Sequence, residues 1–155
     1  MGSNVRRARK AAGGLFGVAI LAVQAVIGDA PIESSPTPIR LEPGSVDYPD
    51  MESDMPPWPE EQILAGHSEH RYMYLYSGDI DVAIYQAKPM VLRIDNYDID
   101  EFVLVISGAL ILTADGGASQ KFEAGESVLV PKGFTGTWEM QGEFRELVVM
   151  MREQK

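Results

Sequence analysis

From His70 to Met151 the chain alternates short apolar runs with turn-forming clusters, and within each run the period is close to two. The runs are "RYMYLYS" (71–77), "DVAIYQA" (81–87), "MVLRID" (90–95), "EFVLVIS" (101–107), "ALILTAD" (109–115), "SQKFEA" (119–124), "SVLVP" (127–131), "GTWEMQ" (136–141) and "EFRELVVMM" (143–151). Between them lie "SGD", "KP", "NYDID", "SG", "DGG", "AGE" and "KGFTG", rich in the residues that tight turns require. No stretch of this region keeps a helical period of 3.6. The pattern therefore predicts an all-β domain over residues 61–155, folded as a sandwich or closed barrel.

One strand departs from simple alternation. Glu101, Val103 and Val105 share one face while Phe102, Leu104 and Ile106 share the other, so both faces are apolar apart from the glutamate. A strand of that kind must be covered on both sides. One cover is the barrel interior; the other is either the segment preceding the domain or a second subunit. "RELVVMM" gives the same reading. An uncovered apolar sheet is an aggregation hazard, which favours a homodimer packed sheet to sheet.

Eight of the ten prolines fall between Pro31 and Pro59, a density incompatible with helix or sheet interior. Residues 31–60 are therefore an acidic extended arm, in which Trp58, flanked by prolines, is placed to pin the arm to the domain. Before it, "VRRARK" precedes an uncharged run from Ala11 to Gly28, the arrangement of a secretory signal. Its length also suits a membrane anchor at the short end of what spans a bilayer. Residues 1–30 are accordingly a signal peptide or an anchor, and either places the protein outside the cytoplasm, in the periplasm or secreted.

Beyond residue 25 the chain carries 9 of the 13 basic residues against all 23 acidic ones, a net of −14. Such a surface repels phosphate backbones and argues against nucleic-acid binding. With no cysteine, disulfides and thiolate metal sites are excluded.

Two spacings sharpen the picture. Glu101 is followed after six residues by Gly108, and Gly125 is followed by five residues, Pro131, one residue and Gly133. In this order the two motifs resemble those of the cupins, small jelly-roll barrels. "GFTGTWE" after them is similar to the branch holding ureidoglycine aminohydrolase-like and ethanolamine-utilisation Q-like cupins. The resemblance covers roughly residues 78–150 and implies a single cupin-like jelly-roll barrel. It also implies a divalent metal held by two histidines before the glutamate and a third after the second motif. Here those positions fall on Asp95 and Tyr97, or Ile94 and Asn96, and on Gly136. One surviving carboxylate is too few ligands for a transition metal, so neither a metal nor another cofactor is expected. The only histidines, His67 and His70, read as surface residues on the arm side of the barrel.

Glu101 is then a carboxylate aimed into an apolar barrel, costly unless partnered. Either it is a structural acid paired with Arg93 or a tyrosine, or it is a cavity acid of raised pKa that contacts a small ligand. Tyr85, Arg93, Asp95, Tyr97, Lys132 and Trp138 are the candidates to share that cavity. Three functions follow: metal-independent binding of a small polar or carbohydrate-like molecule, an aminohydrolase-like reaction with Glu101 as general acid or base and Tyr97 or Lys132 assisting, and a structural or interaction role.

Overall fold

Two long strands organise the molecule, and both bend at a glycine. The computed structural model describes residues 36–52 and 56–151, so the expected signal or anchor segment lies outside the described residues. Among the described residues no helix is long and apolar enough to cross a membrane. Eight antiparallel strands follow one another: β1 (Ile63–Gly66), β2 (His70–Ser77), β3 (Ile80–Ala87), β4 (Met90–Ile94), β5 (Glu101–Ala114), β6 (Ser119–Glu123), β7 (Ser127–Val130) and β8 (Gly136–Met151). Three single-turn 3-10 helices, Pro43–Ser45, Tyr48–Asp50 and Glu60–Gln62, are the only helical segments among the described residues.

β5 and β8 pair along their lengths, from Glu101 opposite Met150 to Ala114 opposite Gly136. At one end they are flanked by β7 on one side and by β3 and β2 on the other; at the opposite end their neighbours are β6, β4 and β1. Two sheets thus share one bent strand pair, and the result is a jelly-roll barrel of the cupin kind.

The bend explains a difference from the sequence expectation. "SG" at 107–108 reads as a chain break, yet it lies inside β5, and the break before Glu143 lies inside β8. Gly108 and Gly142 both adopt φ of +70°, and the ladder shifts register between Val105 and Ala109. A left-handed glycine gives a bulge that turns the strand while letting hydrogen bonding resume. β1, the four residues "ILAG", was not anticipated; it pairs only with β4 and carries little pattern of its own.

Alternation sorts side chains into two clusters. Facing inward are Ala83, Tyr85, Leu92, Ile94, Val103, Val105, Leu110, Leu112, Trp138, Met140, Phe144 and Val148. On the outside of β3, Ile84 is fully buried beneath Val46 and Met51, with Tyr48, Met73, Leu75, Ile106 and Leu147 around them. The proline-rich arm is therefore a second cover over β3 and over Ile106 of β5, while Phe102 and Leu104 lie outside this cluster. The arm is tied down by polar contacts as well: Glu52 and Tyr72 exchange backbone hydrogen bonds, Arg71 Nη1 donates to the Met51 carbonyl at 3.1 Å, and Arg145 Nη2 donates to the carbonyls of Pro43 and Val46. The Arg71 guanidinium also sits 4.7 Å from the centre of the Tyr48 ring. Part of the sheet surface stays outside this cover, and Leu129 is 57% exposed.

Met51→Ala should remove the keystone of that cover and cost about 2–5 kcal/mol, the range for a buried methionine truncated in a packed core. Urea denaturation checks this; a loss below about 0.5 kcal/mol, typical of surface positions, would show that the arm lies on the sheet without supporting it.

Candidate functional site

The glutamate of the first motif opens β5, and what precedes it decides its surroundings. Asn96 takes a left-handed φ of 55°, and its backbone N–H donates to Thr135 Oγ1 at 3.0 Å. Tyr97 then exchanges backbone hydrogen bonds with the 131–135 loop, donating to Phe134 O at 2.8 Å and accepting from Gly133 N at 2.7 Å. The Lys132 backbone N–H adds a bond of 2.8 Å to Asp100 Oδ1. The "PKG" end of the second motif therefore clamps the turn that carries Tyr97. From that turn the Tyr97 hydroxyl donates to Glu101 Oε2 at 2.6 Å.

Glu101 is 5% exposed and lines a cavity of about 160 Å³ inside the barrel. Its walls are largely aromatic: Trp58, Tyr72, Tyr74, Tyr85, Tyr97 and Trp138, completed by Ala83, Leu92, Ile94, Met140, Val148 and Met150. A second carboxylate shares the space. Glu146, on β8, is 3% exposed and its Oε2 has no hydrogen-bond partner. It stands between Tyr85 of β3 and Val105 of β5 in the sheet, four ladder steps from the end where Glu101 faces Met150. Tyr97 and Trp138 pack at 5.8 Å between ring centres, and the Trp58 indole N–H donates to the Tyr85 hydroxyl at 3.3 Å.

Burial dominates the electrostatics. Loss of solvent pushes the Glu101 carboxyl up to about 7; the Tyr97 hydrogen bond opposes the shift and the nearby Asp98 charge adds to it. Glu146 is driven well above the ordinary glutamate value, first by burial and then by the charge of Glu101. Tyr97 and Tyr85 are both raised chiefly by burial, so both stay protonated donors.

Of the residues named from sequence, Glu101, Tyr97, Tyr85 and Trp138 line the cavity, whereas Arg93, Asp95 and Lys132 do not. Arg93 is not the partner of Glu101. It lies on the outer face of β4, between the inward-facing Leu92 and Ile94, where Nε donates to Asp95 at 2.8 Å and both terminal nitrogens donate to Asp115 at 2.7 Å. His70 is also not a surface residue: it is 9% exposed, its ring 5.5 Å from that of Tyr85. Glu146 was missed, although Phe144, Glu146 and Val148 alternate on one face of β8.

Cupins imply a divalent metal, and the residues present do not fit one. Asp95 is engaged by Arg93, Ile94 is core, and a side chain at Gly136 would meet the Thr113 carbonyl at 2.1 Å. The cavity offers two carboxyls and the phenol oxygens of Tyr72, Tyr74, Tyr85 and Tyr97, of which the last two are kept protonated by burial, and among the described residues no three His, Asp or Glu side chains come together.

Fold and motifs thus define a cupin-type barrel with an aromatic, acid-bearing interior. Residues 94–146, about a third of the chain, match the model of the EutQ-like cupin domain. The chain superposes on a protein of unknown function from Pseudomonas syringae pv. tomato with a TM-score of 0.57 at 18% identity, covering 62% of this chain and 42% of that one. A putative ethanolamine utilization protein Q from Salmonella typhimurium gives 0.48 at 19% identity over 53% and 68%. The Clostridium difficile EutQ protein gives 0.47 at 20% over 53% and 61%. The chain spans under half of the Pseudomonas protein and about three-fifths of the Clostridium one. No curated protein matches the sequence.

Proposed function

We propose that this barrel is a metal-independent binding module for a small polar molecule, with Glu101 as the contacting acid. The observation that carries the reading is the aromatic cavity of about 160 Å³ with Glu101 held in place by Tyr97. A cavity of similar size, ~150 Å³, accommodates benzene, so ligands of about six to eight heavy atoms are the relevant class. Glu101→Gln keeps the volume and most of the hydrogen-bonding capacity while removing the charge. Purified without a histidine tag, the protein should carry well under one equivalent of transition metal. In a thermal-shift panel of small polyols and polar metabolites of that size, ligands that raise the melting temperature of the wild type should leave Glu101→Gln unmoved. Stoichiometric metal, or a panel without a single hit, would overturn the reading.

A second reading, catalysis with Glu101 as general acid or base, is favoured by one observation. A carboxyl raised to about 7 can hold or release a proton at neutral pH, and the Tyr97 hydroxyl is already 2.6 Å away to assist. Turnover of a panel ligand, lost in Glu101→Gln, would establish it.

A further inference from the structure

The proposed small-molecule site has a charge character that narrows its ligand further, and this step rests on that reading. We propose that the cavity takes a small organic ammonium ion, its cationic head facing Glu101 and Glu146 and its alkyl groups packed against Trp58, Tyr85, Tyr97 and Trp138. Three observations carry the inference. The cavity holds two carboxyls, and no lysine, arginine or histidine stands among its lining residues. Glu146 Oε2 is buried without a hydrogen-bond partner, a polar atom that a cationic head can compensate by charge. The walls are aromatic on several sides, and the faces of tryptophan and tyrosine attract a cation through their quadrupoles.

Other ligand classes fit these walls less well. An anion would meet two carboxyls and no countercharge. A divalent metal would find two carboxyls and otherwise protonated phenols and rings, fewer ionised oxygen or nitrogen ligands than it needs. A neutral molecule gains the apolar contacts and hydrogen bonds but leaves any charge on the carboxyls uncompensated in a desolvated space. An alkylammonium ion satisfies both parts: its charge favours the ionised form of the carboxyls and offsets it, and its methyl groups suit the rings.

Choline and its neutral carbon isostere, 3,3-dimethylbutan-1-ol, separate charge from shape. Isothermal titration of the full chain near pH 7.5 in low salt should show choline binding at least ~10-fold tighter than the alcohol, a preference in the range that cation–π and ion pairing supply together. Glu146→Gln should reduce that preference, while circular dichroism confirms that the variant stays folded. Equal affinity for the two compounds would overturn the ammonium assignment and leave small-molecule binding standing. Binding of neither would overturn the assignment too, and the thermal-shift panel above then decides the broader reading separately. A choline preference untouched by Glu146→Gln and by Trp138→Leu would place the ion outside the barrel and refute the proposal. Because the isostere comparison uses the wild-type protein, it stands even where a variant fails to fold.

Discussion

Stability should fall as the pH rises from 5 to 8, and Glu101→Gln should remove much of that fall. The folded state raises the Glu101 carboxyl from 4.5 to about 7, so between those values the folded chain holds a proton that the unfolded chain has released. Stability from this group is therefore fully present below pH 4.5 and is lost progressively up to pH 7. At about 1.4 kcal/mol per unit the loss is on the order of 3 kcal/mol, a large share of a small domain's stability. Glu146 shifts in the same direction, so its loss begins at the same pH and extends the slope upward. Chemical denaturation at several pH values reads this directly. Wild type should weaken with rising pH, Glu101→Gln should slope less, and the double variant with Glu146→Gln should be nearly flat over the window. A wild-type stability that rises across it would mean that both carboxyls are charged and well partnered in the folded protein.

The second large effect is at the bend. A side chain at Gly108 would put its Cβ 2.3 Å from the Gln141 carbonyl and 2.9 Å from the Phe144 Cα, with φ already at +70°. Backbone strain costs about 1–3 kcal/mol and forced overpacking adds about as much again. Gly108→Ala should therefore lower the melting temperature by on the order of 15 °C or leave the protein insoluble. Gly116 provides the control. It has φ of +73° but open space around its Cβ position, so Gly116→Ala should show the strain alone, roughly 1 kcal/mol. Equal effects at the two sites would show that the close approach of β5 and β8 is not what demands glycine at 108.

How much of this was legible in the chain depends on which interaction carried the signal. Period-two alternation marked most strands and showed that β5 needs two covers, because burial on a sheet is a local property of every second residue. It also contained two facts that were not drawn from it. Arg93 sits between Leu92 and Ile94, both inward, and so points outward; Glu146 sits between Phe144 and Val148 and so points inward. The first was weighed, beside a tyrosine, as a partner for Glu101 on charge alone, and the second was not singled out. Glycine as a break, by contrast, was ambiguous in principle. A left-handed glycine ends a strand or bends it, and only the partner strand across the ladder decides which. The fold placed Gly142 against Gly108, with the Gly142 Cβ position 3.6 Å from the Gly108 Cα, and that proximity has no local signature. Trp58 was legible as an anchor; that its indole reaches Tyr85 and closes a cavity depends on the path of the arm.

The central place of β8 has a consequence for how the barrel comes together. β3, β4 and β5 all pair with this last described strand. Without it, the remaining pairings form three separate pieces: β1 with β4, β2 with β3, and β5 with β6 and β7. None of those pieces encloses a core. On the ribosome the chain therefore waits for residues 136–151 before either sheet can close, with the apolar edges of β3 and β5 unpaired until then. Closure joins residues far apart in sequence, which places folding in the slow, millisecond-to-second class and makes the nascent chain, rather than the finished barrel, the form most exposed to aggregation.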